Sequence, residues 1–549
     1  MRRYLNILCA ALTLWCGSCI ENDIPYPIVP VEILGLEGTG FAVGQIDPVR
    51  RSVTLTLDER TDIERVTITS ARITDKATGA EALTGTFDLR TPLYVTLSLY
   101  QDYEWTVRAE QSIERHFRVG GQIGTAEIDD VRRIARARVS AGTDLHAVDV
   151  ESLKLGPADI TAYSPSVAEL SGSSFETVRF VDVTCHGRTE RWLLYVERSE
   201  SNVELTQADA WTKVIWLYGA GIAGGRMGFR YRRQGAEQWS EVPGVEVDGS
   251  TFKARLAAEP ATAYEIAAYC DQWESEVRTL TTDPVWTLPN GGFEEWSAPD
   301  GDRKYYIPFF TGSDPFWDSG NQGATTIREK DNITTPADDP RPGSSGSKSA
   351  RLESRWVFIK FAAGNLFAGE YLHTFNTNGV VGFGRPFTHR PTALKGWVKF
   401  KGGKINRVGG IPAGLDEAEL KAGRIDENGM IYIALGTWKP DEYGTTVVDN
   451  NGKTWNFGTE TTPVAIYTKD LSTFFDPRSK DVIAYGEKVM IDDIDQWTEF
   501  TIPLEYKNGA TDLVPTHLII VCSASRWGDY FTGYDKSVLC VDDFELVYD

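Results

Sequence analysis

Apolar and polar residues alternate along much of this chain, as in Ser52-Val-Thr-Leu-Thr-Leu57 and Arg65-Val-Thr-Ile-Thr-Ser70, with Gly, Pro, Asn and Asp bounding the runs. A period of two puts one set of side chains on each face of a strand, so these runs predict half-buried β-strands. Helical periodicity is almost missing. The pattern therefore predicts an all-β chain. Asn428-Gly429 and Asn451-Gly452 carry the dipeptide favoured in two-residue hairpin turns, whose central positions need positive φ. Residues 411–423 read as either one short helix or a loop.

The N-terminal part contains a repeat. Ile46-Asp47-Pro48-Val49-Arg50-Arg51 is matched by Ile128-Asp129-Asp130-Val131-Arg132-Arg133, and Asp62-Ile63 with Val66 by Asp144-Leu145 with Val148, both at an offset of 82 residues. A unit of that length suits a seven-stranded sandwich of immunoglobulin type. Residues 31–120 and 121–203 are thus expected to be sister domains, with Trp105 and Trp192 packing in their cores. Residues 204–283 contain Leu256-Ala-Ala-Glu-Pro260-Ala-Thr-Ala-Tyr264, which resembles a fibronectin type III domain. The resemblance implies a tyrosine corner, with Tyr264 buried and its hydroxyl bonded back to the preceding chain. Trp211, Trp216 and Trp239 then read as core or inter-strand packing. From residue 284 the texture changes: the remaining 266 residues hold 17 of the 24 phenylalanines, so one larger domain is expected over 284–549.

The start of the chain is of a different kind. Arg2 and Arg3 precede an apolar run from Leu5 to Trp15, and Gly17-Ser18 precede Cys19, the order of a secretory signal peptide. The run is about half the length that a membrane-spanning helix needs. Its ending resembles the lipobox of bacterial lipoproteins, which implies cleavage after residue 18 and acylation of Cys19. The match departs from the lipobox at Cys16, where leucine is usual. Residues 19–30 form an acidic leader stiffened by Pro25, Pro27 and Pro30. An acidic stretch after the lipid site resembles Bacteroidota lipoproteins sent to the outer leaflet, which implies an outer-membrane, surface-exposed location.

A net charge of −22 excludes nucleic acid and anionic lipid headgroups as partners, since both require a basic face. Seven cysteines in 549 residues do not make a disulfide framework. Cys522 and Cys540 read as small buried hydrophobes, with a bridge as the alternative. Gly219-Ala-Gly221-Ile-Ala-Gly224 has dinucleotide-binding spacing but precedes a strand-like run, not the helix a pyrophosphate needs, and Gly452-Lys453-Thr454 lacks the earlier glycine of a phosphate loop. Serine-hydrolase and zinc-hydrolase motifs are absent. A glycosidase needs only two carboxylates, and Glu294-Glu295, Asp492-Asp493 and Asp542-Asp543 are paired acids that read first as a solvated face or a metal-binding end.

The two ends of the last domain, Asn290-Gly-Gly-Phe293-Glu294-Glu-Trp296 and Ser537-Val-Leu-Cys-Val-Asp542-Asp543-Phe544, resemble the opening and closing strands of jelly-roll carbohydrate-binding modules, and Gly346-Ser-Lys-Ser-Ala-Arg351-Leu352 resembles an inner strand of the same modules. The resemblance implies that first and last strands pair, that Phe293 and Phe544 are buried between sheets, and that Glu294 and Asp542 hold a structural Ca²⁺. Phe316-Trp317-Asp-Ser-Gly-Asn321, Ala362-Ala-Gly-Asn365-Leu-Phe-Ala-Gly369, Gly384-Arg385-Pro-Phe387, Arg390-Pro391-Thr-Ala-Leu-Lys-Gly-Trp397 and Ser523-Ala-Ser-Arg-Trp-Gly528-Asp529-Tyr-Phe-Thr-Gly533 together resemble the putative carbohydrate metabolism domain of Bacteroidota lipoproteins. Chemically these motifs suit a sugar site, in which aromatic rings pack on a pyranose face and planar polar groups bond its hydroxyls. Trp317, Asp318, Asn321, Arg385, Asp529 and Tyr530 are the candidate carbohydrate-binding residues; the alternative is that the aromatics are core and Asp318 and Asn321 cap turns. The expected fold is all-β, tandem immunoglobulin-like sandwiches followed by a larger jelly roll. The expected function is glycan binding by a lipid-anchored surface protein carried on a stalk of three sandwiches. A glycoside hydrolase with a carboxylate pair and a structural or adhesive surface protein are the rivals.

Overall fold

The computed structural model describes residues 31–548 apart from 49, 314, 328–330, 358, 413 and 414, so Cys19 and the acidic leader lie outside the described residues. The described chain is all-β, and forms two compact units. In the first, strands Ile33–Gly38, Val66–Ile73 and Gly85–Phe87 form one sheet and Phe41–Asp47, Ser52–Leu57, Gln101–Gln111 and Leu93–Leu99 form another. Val53, Leu55, Ile68, Leu97 and Trp105 fill the space between them, and Trp105 is fully buried as expected. Trp192 is equally buried, within a five-stranded sheet that includes Arg179–Cys185 and Arg188–Arg198.

The internal repeat has a structural counterpart in its turns. Asp47 accepts a hydrogen bond from Arg50 N at 2.9 Å, and Asp129 accepts one from Arg132 N at 2.8 Å. The following residues, Arg51 and Arg133, both take positive φ, 50° and 59°. The same sequence has produced the same hairpin turn twice, with an Asx bond holding a conformation that arginine would otherwise avoid.

In the second unit, residues 203–281 form a sandwich around Phe229, Phe252, Ile266 and Tyr264. Tyr264 is buried, and its hydroxyl accepts a hydrogen bond from Glu259 N at 3.0 Å, the backward bond expected of a tyrosine corner. The glycine-rich run ends strand Val214–Gly221 and turns into strand Met227–Arg233, with no helix between. The C-terminal sandwich follows. One sheet orders its strands Thr334–Ala337, Ser349–Glu353, Val538–Val547, Ala393–Lys401 and Ile494–Pro503; the other has nine strands and runs from the edge strand Val464–Tyr467 through Asn378–Phe383, Asn365–Phe375, His517–Ser523, Gly429–Gly436 and Val482–Met490. Phe293, Trp317, Phe400, Leu366, Ile433, Ile520 and Phe544 lie in the core between the sheets.

Several expectations are corrected. Residues 290–296 make turns, not a first strand, and the last strand pairs with Ser349–Glu353 and Ala393–Lys401. Phe293 and Phe544 are nonetheless buried together, ring centroids 5.2 Å apart, and Phe544 N donates to Gly291 O at 2.8 Å. Asn451-Gly452 does join a hairpin, Thr445–Val448 to Thr454–Phe457, but Gly429 opens a strand instead. A Cβ there would come within 2.7 Å of the Phe400 ring, so this glycine serves close packing rather than a turn. Residues 411–423 include one short helix, Glu417–Lys421. The four described cysteines are free, with Cys522 and Cys540 buried.

Two sandwiches of the second unit are clamped together. Trp211 lies 4.8 Å from the Tyr506 ring and donates its indole N–H to Thr511 O at 2.9 Å. Tyr218 Oη and Thr511 Oγ1 are 3.1 Å apart, Thr511 Oγ1 donates to Asp209, and Arg390 donates to Ala210 O and pairs with Asp283 at 3.3 Å. These are buried, directional contacts, so the 203–281 sandwich is fastened to the C-terminal one and is not a loosely strung bead.

Candidate functional site

The nine-stranded sheet is covered on both faces. Leu366, Ala368, Ile431, Ile433, Leu518 and Ile520 face the inter-sheet core, while Phe367, Tyr432, Ala434, Ile519 and Val521, their neighbours in sequence, face the other way. On that outer face Phe475 stacks on Tyr432 at 5.4 Å, Trp438 meets Phe475, and the hairpin bearing Trp455 and Phe457 packs on Phe375 and His373. What remains uncovered is a cavity of about 160 Å³.

Its floor is the sheet, through Phe367, Val381, Phe383, Met430, Tyr432 and Val521. Its walls are the Arg355–Val357 and Lys360–Ala362 hairpin, the turn at Asn376-Thr377 and the loop Arg526–Phe531. The Tyr371 side chain reaches the cavity because Gly323 and Gly379 leave room for it: a Cβ at either would meet its hydroxyl, at 2.2 and 2.7 Å. Tyr371 Oη is 3.0 Å from Thr374 Oγ1. Lys360 Nζ donates to Thr377 O at 3.1 Å and Asn378 Oδ1 at 2.7 Å and sits 3.3 Å over the Phe531 ring. Burial pushes this amine down to about 8, so it is still charged at neutral pH.

Asp529 is the one carboxylate lining the cavity among the described residues. It lies on a short turn, Gly528–Tyr530, closed by Phe531 in the left-handed region at φ 54°. Gly528 packs onto Ala363 too closely for any Cβ, and Gly410 N donates to Tyr530 O at 2.7 Å, so the turn is held from both sides. Asp529 is exposed, and the protein packed around its carboxyl, which disfavours the charged form, pushes it up to about 6. No hydrogen bond or ion pair reaches it from the described residues. An ionised acid facing an aromatic-walled cavity without a donor is an arrangement for binding donors from outside.

Glu427 lies behind this wall and is 1% exposed. It accepts from Ser525 Oγ at 2.8 Å, Tyr534 N at 2.6 Å and Asn428 N at 3.0 Å, and burial pushes it up to about 7. Ser525 itself lines the cavity and lies 2.8 Å from Ser354 Oγ. Glu427 therefore positions the loop that carries Asp529; its oxygens are already committed.

Of the six sugar-binding candidates, the structure puts Asp529 on the cavity wall and corrects most of the others. Trp317 is 0% exposed, packed against Phe293 and Phe316, with its indole N–H donated to Pro289 O at 2.8 Å, so its faces are closed to any ligand. Asn321 is buried with all four hydrogen bonds made inside the protein: it accepts from Ile333 N and Thr334 N and donates to Tyr306 O and Thr334 O. Arg385 is buried, donating to Phe316 O and Gly369 O and pairing with Glu370 at 2.9 Å. Asp318 accepts from Ser319 N and Tyr371 N, at 2.7 and 2.8 Å, and so sets the strand that carries Tyr371. Tyr530 packs against Phe474 and Trp527, next to the cavity but not on its wall.

Glu294 accepts from Ser347 N and Lys348 N, and Asp542 from Arg341 N and Asp543 N, so backbone N–H groups already hold both carboxylates in place. Among the described residues no group of three or more His, Cys, Asp or Glu could hold a metal ion. The paired acids are also occupied: Asp493 bonds Lys401 and Asp543 bonds Arg341 at 2.6 Å.

Reasoning from sequence missed Lys360, Tyr371, Tyr432 and Phe531. A signal existed for part of the wall, because Ala362–Gly369 supplies Asn365 and Phe367, and Ser523–Gly533 supplies Arg526, Asp529 and Phe531.

Residues 292–547 match the family described as putative carbohydrate metabolism domain, which takes in this cavity. A comparison with curated proteins gave no match. Among solved structures, one described as a putative glycoside hydrolase from Bacteroides thetaiotaomicron is 17% identical, with 79% of this chain and 96% of that one covered at a TM-score of 0.30. Another so described, from Bacteroides vulgatus, is 21% identical, covering 47% and 97% at a TM-score of 0.30. A third, described as SGBP-B from a complex xyloglucan utilization locus in Bacteroides uniformis, is 11% identical, covering 86% and 98% at a TM-score of 0.17.

Proposed function

We propose that the C-terminal sandwich binds carbohydrate in the cavity around Asp529, and that the chain does so as a lipid-anchored protein on the cell surface. The observation that carries the binding reading is Asp529 itself, an acid with no donor among the described residues in a cavity lined by Phe367, Tyr371 and Phe531. Sugar hydroxyls are donors, and aromatic rings suit the apolar face of a pyranose. The family match over 292–547 supports a role with carbohydrate.

Binding is favoured over hydrolysis because a glycosidase needs two carboxylates about 5 to 9.5 Å apart across the substrate. The described wall offers Asp529, and the oxygens of Glu427 are held by Ser525, Tyr534 and Asn428. The test is to screen the full mature chain on arrayed plant, bacterial and animal oligosaccharides while measuring reducing-sugar release. Retention of a glycan without release is expected; release would make the protein a hydrolase, and no retained glycan would end the proposal.

The anchor follows from the Arg2-Arg3 start, the apolar run and Gly17-Ser18-Cys19. Mass spectrometry of the mature protein should find a diacyl- or triacyl-modified Cys19. An unmodified N-terminus would refute it.

A further inference from the structure

The outer face of a jelly-roll sheet is where a polysaccharide chain would lie across the strands, and here most of that face is blocked. Phe475 covers Tyr432, Tyr443 and Phe474 join the same apolar cluster, and the hairpin bearing Trp455 and Phe457 covers Phe375. The cavity that is left is about 160 Å³. That is close to the roughly 150 Å³ of an engineered protein cavity that holds a single benzene ring.

A space of this size has room for one six-membered ring, and Phe475, stacked on Tyr432 of its floor, stands against a chain continuing across the sheet at that end. The polar groups agree with a small, end-on ligand. Asp529 stands on one wall; Lys360 and the Asn376-Thr377 turn stand on the others, and the apolar floor of Phe367, Phe383 and Met430 would take a ring face. Phe531, two positions after Asp529 and closing its turn, is held at φ 54°, a conformation costing of order 1 kcal/mol or more that persists where the surroundings impose it.

From this geometry we infer that the cavity takes a single terminal sugar residue, inserted end-on with adjacent hydroxyls donating to Asp529, and does not bind internal segments of a polysaccharide. The inference rests on the proposed glycan-binding function and adds the part of the glycan that is recognised. It also assigns Phe475 and the hairpin bearing Trp455 and Phe457 a role: they cover parts of the sheet face next to the cavity.

The experiment uses the full mature chain. Each oligosaccharide retained on the array is measured by calorimetry in three forms: intact, with its terminal residue removed, and as the methyl glycoside of that residue alone. Removal of the terminal residue is expected to lower affinity at least tenfold, and the methyl glycoside to keep affinity within about tenfold of the intact glycan. Asp529→Asn should weaken all binding at least tenfold with the melting temperature preserved. Ala362→Trp, which fills the mouth from an edge hairpin, should do the same and serves if the Asn variant folds poorly. Affinity that rises with each added internal residue and ignores the terminus would overturn the inference while leaving glycan binding intact. Retention of no glycan at all would remove both.

Discussion

The clamp between the 203–281 sandwich and the C-terminal one can be tested with a double-mutant cycle on Trp211 and Tyr506. Trp211 is 4% exposed yet lies outside the apolar cluster of its own sandwich, so its burial comes from the partner surface. Trp211→Ala removes the ring contact to Tyr506 at 4.8 Å, the edge contact to Trp216 at 5.9 Å and the indole bond to Thr511 O. Trp to Ala at a buried site costs about 3 to 5 kcal/mol, of which the lost hydrogen bond accounts for about 1. Tyr506→Ala should cost about 3 kcal/mol, since it also loses the hydroxyl donated to Pro391 O at 2.8 Å. Because the two rings share one contact, the double variant should be less destabilised than the sum of the singles by about 1 to 2 kcal/mol. The assay is scanning calorimetry of the full mature chain, in which the residues of both sandwiches should melt in one transition and separate in Trp211→Ala. Additive single effects within about 0.5 kcal/mol, with the C-terminal transition unmoved by Trp211→Ala, would refute the clamp. The same contacts imply that a fragment starting at residue 284 exposes Tyr506 and Thr511, so binding work should use the full chain.

Glycan affinity should fall as pH drops below about 6, where Asp529 gains a proton and ceases to be a full acceptor; isothermal titration between pH 5 and 8 checks this, and Asp529→Asn should flatten the profile. Glu427 has a folded pKa raised to about 7 from 4.5, so its neutral form stabilises the fold fully at pH below 4.5 and that stability is lost as pH rises through 7. The loss is on the order of 3 kcal/mol, and denaturant titrations of the wild type and Glu427→Gln across pH 4.5 to 8 should differ in slope over that window. Asn321→Ala leaves four buried backbone groups without partners and should cost about 2 to 4 kcal/mol in stability. Its effect on glycan affinity in the folded fraction should be small, and a selective loss of affinity at unchanged melting temperature would make Asn321 a ligand contact.

The chain's alternation by itself determined that the protein is built of strands, because a period of two has only one way to bury its apolar set. The 82-residue repeat was legible too, and the turns it turned out to carry are local, Asp47 and Asp129 each bonding a residue three positions away. The Tyr264 corner was legible for the same reason: its partner, Glu259, is five residues back. Which aromatics are core and which line a site was not legible. In Asn365-Leu-Phe-Ala-Gly369 both faces of the strand are covered, so the run reads as uniformly apolar, and only the packing puts Leu366 in the inter-sheet core and Phe367 on the cavity floor. Trp317 and Asp529 both sat in motifs rich in Gly, Asp and aromatic residues, and sequence gave them equal standing. One is sealed by Phe293 and Phe316, and the other lines the cavity on the outer face of the sheet. That difference is set by tertiary packing, Trp317 against Phe544 and Asp529 among Lys360, Phe361 and Tyr371, and it exists only once the sheets have paired and the outer face has been covered.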